Sequence, residues 1–473
     1  MKRTKAIGSF FSVPALTAFW AGPSFATDLI KAPTPAQMAG MVDKSDTTWM
    51  MISTVLVLLM AAPGLGLFYG GLVRTKNMVS VLMQTFMTFC VCSLVWACWG
   101  YSIAFTSGGN NPFFGGFSKA FLNGITSHSY VSTFSNNVYF PELVYFSYQM
   151  TFASITPALI VGAFAERVKF APLMIFMVLW VSLVYCPVAH MVWYWAGPDF
   201  LPDNPSDHGF LWGLGALDFA GGTVVHINAG IAGLVGCLIA GKRVGYPVEP
   251  MPPHSLTMTM IGGSLLWVGW FGFNVGSNLE ANDLAGLVLT NTFLATTAAA
   301  VAWSAIEFFI HKNASLLGAV TGAIAGLVAI TPACGFASPL TSILLGFAVS
   351  LVCFCFVTTV KNRLGYDDTL DVFGVHCVGG IVGAIATAIV ADPALGGQGF
   401  VDYTRFPAAI AAYDMSSQLV VQLKAVALTL AWSGGVSSAL FLILKATLGL
   451  RPTADVELEG MDINDHRERA YNY

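Results

Sequence analysis

The chain has 473 residues, of which 56% are hydrophobic and only 10% charged, with a mean hydropathy of +0.70 and a formal net charge of −4. A soluble protein keeps its surface in water with about 25% charged residues. This composition therefore excludes a soluble globular fold and makes a lipid bilayer the first expected partner; no basic run is long enough for nucleic-acid binding.

Residues 1–26 read as a secretory signal peptide, with Lys2, Arg3 and Lys5 ahead of an apolar stretch from Ile7 to Ala21 and a small-x-small site at Ser24-Phe25-Ala26. Residues 27–46 then form a periplasmic N-terminal segment. A membrane-spanning helix needs about 20 predominantly apolar residues, and residues 47–445 supply eleven candidates: 47–73, 78–106, 142–165, 170–194, 218–240, 256–278, 284–310, 316–332, 340–360, 372–391 and 416–445. Basic residues fall in alternate connections (Arg74 and Lys76, Arg167 and Lys169, Lys242 and Arg243, Lys312, Lys361 and Arg363) and in the tail 446–473; the opposite connections hold mainly Lys119 and Arg405. The positive-inside rule makes the basic loops and the tail cytoplasmic. The expected fold is an all-α polytopic protein of the cell inner membrane with eleven transmembrane helices, N-terminus out and C-terminus in.

An internal repeat refines this. Val225-His226-Ile227-Asn228-Ala229-Gly230-Ile231-Ala232-Gly233 matches Val375-His376-Cys377-Val378-Gly379-Gly380-Ile381-Val382-Gly383, each shortly after a Leu-Asp pair, Leu217-Asp218 and Leu370-Asp371. The copies fall in the fifth and tenth spans, so two five-helix halves must be inserted upside down relative to each other, with a final helix added. Such inverted repeats mark transporters whose path runs between the halves. His226 and His376 lie at membrane depth, where an ionisable side chain is costly and by default functional. As two histidines with no cysteine or carboxylate at their depth they are too few for zinc, so the expected role is pore lining rather than metal binding. Most of the nine cysteines lie in apolar runs and read as small buried hydrophobes. No paired carboxylate or nucleophile–base motif lies within the spans, and neither an enzyme nor a cofactor is expected.

Five segments, Phe68-Tyr69-Gly70-Gly71-Leu72, Ala189-His190-Met191-Val192-Trp193, Leu217 to His226, Gly269-Trp270-Phe271-Gly272-Phe273-Asn274 and Asp371 to His376, closely resemble signatures of the ammonium transporter (Amt) family, in the family's order, over the chain from about Asp43 onward. The resemblance implies a homotrimer with one pore per subunit. It implies an outer platform for ammonium at Trp193, Tyr148 and Ser277, a stacked pair closing the pore at Phe152 and Phe273, the histidine couple His226 and His376 below, and structural support from Asp218, which also reads as a helix N-cap. Tyr148 stands where many members have Phe. The tail, with Gly449-Leu450-Arg451 and Glu459-Gly460-Met461-Asp462, resembles the family's docking tail and implies a PII-class nitrogen regulatory protein as partner; Arg467 replaces the family's usual Gly. Net electrogenic ammonium import is the implied outcome. A Rhesus-type ammonia channel and an ammonium sensor (transceptor) are the alternatives.

Overall fold

The computed structural model describes residues 32–109, 111–403 and 408–472; the expected signal peptide and Arg405 lie outside them. Among the described residues ten helices are long and apolar enough to cross a membrane: α1 Lys44–Leu72, α2 Thr75–Phe105, α3 Glu142–Phe164, α4 Phe170–Trp193, α5 Gly222–Ala240, α6 Leu256–Gly276, α7 Asp283–His311, α9 Pro339–Leu364, α10 Phe373–Val390 and α11 Met415–Thr447. The span expected at 316–332 is helical as well (α8, Leu316–Ile330), but its 15 residues extend only about 22 Å, short of the roughly 30 Å hydrocarbon core.

Helices form here because lipid offers no partner to a backbone N–H or C=O, which an α-helix pairs within itself. The exposed ends are closed by side chains. Asp43 accepts from the Ser45 and Asp46 amides ahead of α1, Asn282 from Ala285 ahead of α7, and Ser338 from Thr341 ahead of α9, where Pro339 occupies the first turn. Such oxygen caps satisfy amides that the first turn leaves unpaired. Pro63 sits inside α1 within the π-helical turn Met60–Gly64, a local widening that accommodates the missing N–H. Helices α6 and α1 pack with their backbones close together: a Cβ on Gly262 would lie 2.1 Å from the Phe68 amide nitrogen and one on Gly272 2.7 Å from the Ser53 carbonyl. Small residues at such crossings allow the approach.

The basic loops gather at one end of the bundle, around a buried charge network. Glu166 accepts from Arg74 (2.7 Å) and Arg243 (3.3 Å), and Asp367 pairs with Arg243 at 2.8 Å and Arg167 at 3.8 Å. The tail docks against this end. Arg451 pairs with Glu457, which also accepts the Val244 amide at 2.7 Å; Asp462 accepts the Ser80 amide at 2.8 Å; and the Leu450 carbonyl receives the Lys169 amide at 2.9 Å. Arg467 adopts a left-handed conformation, φ 57°, so the turn keeps a glycine-like geometry although an arginine occupies it.

Burial by itself would push the Glu166 carboxyl up, but the bonds and charges of Arg74 and Arg243 outweigh it and hold the carboxyl below its ordinary value of 4.5. A carboxyl whose pKa folding lowers stabilises fully above its unfolded value and loses that contribution as pH falls through the folded one. Glu166→Gln should therefore lower the detergent-solubilised protein's apparent melting temperature at pH 7, the cost of breaking a buried pair being about 3–5 kcal/mol. The gap between variant and wild type should narrow as pH falls below 4.5; equal melting at pH 7 would remove the network from the stability of this end.

Candidate functional site: a cavity above two buried imidazoles

At the end of the bundle opposite the charge network lies a cavity of about 990 Å³, lined by aromatic residues including Trp193, Trp195, Trp212 and Tyr403 and by the carboxylates Asp218, Glu280, Asp402 and Asp414. No lysine, arginine or histidine is among its described lining residues. A cleft lined by one sign of charge concentrates counter-ions, and the charged groups of the described lining are all carboxylates.

Its floor is set by the ends of three helices. Trp193 closes α4, and its indole Nε1 donates to the Asp218 carbonyl at 2.9 Å, which fixes the ring at the cavity wall. Ser277 stands just past α6. The last turn of α6 tightens, with the Ser277 amide bonding to Asn274 rather than to Phe273, so the Phe273 carbonyl is left for side chains. The Ser277 hydroxyl donates to it at 2.8 Å, and so does Tyr148, also at 2.8 Å. Tyr148 and Ser277 hydroxyls lie 3.2 Å apart. Ser277 faces the cavity, whereas Tyr148 is buried one layer behind it, outside the lining. Of the three platform residues expected from the sequence, Trp193 and Ser277 thus reach the cavity directly and Tyr148 reaches it through Ser277.

Beneath them Phe152 and Phe273 stack with ring centroids 4.1 Å apart and planes inclined by 22°. Phe152 lines the cavity and meets Trp193 edge-on at 5.8 Å; Phe273 is fully buried. The next ring inward is His226, 6.1 Å from Phe273, and then His376, whose centroid lies 5.4 Å from that of His226. The two imidazoles meet Nδ1 to Nδ1 at 3.3 Å. Such a contact needs a proton on one Nδ1 and a lone pair on the other. In a neutral pair the donor ring then carries a lone pair at Nε2 and the acceptor ring a hydrogen there, so together they offer one acceptor and one donor to whatever lies alongside. The His226 Nε2 is buried and has no partner.

The repeat explains why the rings meet. Both histidines sit in π-helical turns, Gly222–Ile227 and Phe373–Cys377, each continuing into a 13-residue α-helix. Asp218 closes the first turn by accepting the amides of Gly221, Gly222 and Thr223 at 2.9, 2.5 and 2.8 Å. The matching residue of the second repeat is Asp368, which accepts the Val372 and Phe373 amides at 3.1 and 2.8 Å. This corrects the pairing of Leu370-Asp371 with Leu217-Asp218. Asp371 instead adopts φ 58° and binds Lys361 at 2.6 Å. The offset to the histidine, eight residues for both Asp218 and Asp368, is the signal that identifies the right partner. Burial pushes the Asp368 carboxyl up against the pull of Lys361.

A further residue belongs to the site. Trp270, one helical turn before Phe273, stacks on His226 at 5.3 Å, and its Nε1 donates to Thr331 at 2.9 Å, which in turn donates to Asn274 at 3.2 Å. Its spacing of three from Phe273 places both on one helix face.

The comparisons with known proteins bear on the family and the fold. The model of the Ammonium Transporter Family matches residues 48–471. The chain is 41% identical over 431 residues to an ammonium transporter of Aquifex aeolicus, covering 91% of this chain and 94% of that protein. It is 42% identical over 426 residues to an ammonium transporter of Bacillus subtilis, covering 90% and 98%. Among solved structures, Saccharomyces cerevisiae Mep2 superposes with a TM-score of 0.76 at 32% identity, covering 92% of this chain and 93% of that one. With nearly its whole spanning region matched in sequence and fold, this multi-pass membrane protein belongs to the ammonium transporter family.

Proposed function

We propose that the protein imports ammonium by recruiting the cation in the cavity, removing its proton and passing ammonia along the histidine pair. The observation that carries this reading is the 3.3 Å contact between His226 and His376 directly beneath the stacked Phe152 and Phe273. A neutral, polar couple below an apolar plug fits a small uncharged molecule that needs hydrogen bonds, and offers nothing to balance a bare ion.

The energies favour that order of events. Carrying an ammonium-sized ion into a dry, low-dielectric passage costs on the order of 20 kcal/mol in the idealised limit. A cation–π contact of the kind Trp193 offers returns only about 0.5–2 kcal/mol. Ammonium, an amine of pKa roughly 9, gives up its proton near pH 7 for about 3 kcal/mol. Deprotonation is the smaller cost. In this reading Trp193 supplies the aromatic face and Ser277, its own proton committed to the Phe273 carbonyl, accepts an N–H of the cation; Tyr148 holds Ser277 in place. Phe152 and Phe273 form the gate, and Asp218 supports the turn that carries His226.

We place the end bearing the charge network and the tail on the cytoplasmic side of the inner membrane and the cavity on the periplasmic side, since basic loops are retained inside. A homotrimer with one passage per subunit, and binding of a PII-class regulator at the docked tail, complete the proposal. The proton removed at the cavity crosses separately from ammonia in this reading, and the resulting net transfer of charge distinguishes it from a Rhesus-type gas channel.

His226→Ala and His376→Ala should each alter or abolish selective ammonium uptake while the protein still assembles; wild-type uptake and selectivity in both would remove the histidines from the mechanism. For Trp193→Leu, loss of a cation–π contact of about 0.5–2 kcal/mol predicts a roughly 2–30-fold higher half-saturation for ammonium, and an unchanged concentration dependence would refute the recruiting role. In proteoliposomes, ammonium but not potassium should evoke a current that grows with membrane potential. Uptake without current would favour the gas-channel reading.

A further inference from the structure

The segment following α2 exposes four phenylalanines within nine residues: Phe113, Phe114, Phe117 and Phe121 are 45, 51, 68 and 74% exposed. Isolated exposed apolar residues need no explanation, but a contiguous cluster does. The chain also adopts an unfavourable conformation to present it. Phe121 and Leu122 have φ of 55° and 59°, a region that bulky side chains rarely enter.

The segment does not project away from the bundle. It turns back along the end of α2: the Gly115 amide donates to the Ile103 carbonyl at 2.7 Å, Ser102 donates to the Gly116 carbonyl at 2.9 Å, and the Lys119 amide donates to Ser102 at 3.0 Å. The turn Ala120–Leu122 then packs on Trp96–Gly100. Those residues precede the end of α2 by five to nine positions, or roughly 8–13 Å along the helix. With its 31 residues, α2 is about 46 Å long and overshoots a hydrocarbon core of about 30 Å by some 8 Å at each end. Phe121 therefore lies at the level where headgroups meet acyl chains. The one charge between residues 113 and 122, Lys119, turns inward to Glu142 at 2.5 Å. On α2 itself Phe86 and Leu94 are also exposed, 54 and 67%, so the helix on which the segment rests likewise presents apolar side chains outward.

We infer that residues 113–122 form an interfacial anchor whose occupant is phospholipid, with Phe117 and Phe121 inserted at the boundary of the leaflet on the cavity side. Aromatic side chains belong at that level, and a neutralised segment held against a spanning helix enters it without dragging a charge along.

The test places p-benzoylphenylalanine at Phe117 or at Phe121 in the full-length protein, irradiates native membranes and weighs the intact chain. The expected result is a gain of one phospholipid mass at each position. Covalent dimers or larger assemblies of the chain would reassign the face to a contact between copies and overturn the inference. Absence of any adduct, as for a side chain in water, would overturn it as well.

Discussion

A charge without a partner cannot be held cheaply in a low-dielectric interior, and that constraint shapes every polar feature of this protein. Where charges are buried they are paired, as in the knot of Arg74, Glu166, Arg243 and Asp367. Asp218 has its carboxylate occupied by a row of backbone amides and the Thr223 hydroxyl. In the middle of the bundle, where no counter-charge is at hand, two imidazoles meet in one Nδ1–Nδ1 contact that needs no charge on either ring. The proposed mechanism follows from the same rule: ammonia and the proton cross apart from each other, so the intact ion never enters the passage.

The inverted repeat turns this constraint into a shape. Each half contributes an aspartate, a π-helical turn and a histidine eight residues after the aspartate, but the aspartates end up at opposite ends of the bundle: Asp218 at the cavity, Asp368 beside the charge network. The π turns widen the helices at the place where the two histidines must approach, and glycines such as Gly230 and Gly380 leave room for the opposite repeat, a Cβ on Gly230 lying 2.4 Å from the Cys377 amide. The halves are equivalent in scaffold and unequal in what surrounds them: among the described residues His226, and not His376, is stacked by Trp270 and met by the tilted ring of Phe273.

At the cavity floor one unpaired carbonyl organises the candidate site. Because the last turn of α6 tightens, the Phe273 oxygen draws in the hydroxyls of both Ser277 and Tyr148. A hydroxyl at position 148 is thereby absorbed into the support of the site. The aromatic rings, by contrast, follow one another from Trp193, edge-on to Phe152, through the stacked Phe152 and Phe273 to His226, so the floor, the plug and the imidazoles form one continuous column.

Hydrophobic run length, basic loops and the repeat were legible in the residues because they depend on local chain properties: an apolar stretch of sufficient length must be helical in lipid, and two histidines in matching contexts announce a shared role. The start of α5 at Gly222, expected four residues earlier, was not. An apolar run shows where a helix is permitted, while its ends are set by caps and turns, here by Asp218 reaching over Gly221 with its φ of 121°. Composition and spacing by themselves determined a membrane bundle with two buried imidazoles. Which atoms of those rings touch, which aspartate mirrors Asp218 and which way the Tyr148 hydroxyl turns were decided only when distant segments packed, because a hydrogen bond is fixed by positions within a few tenths of an ångström and sequence separation carries no such information.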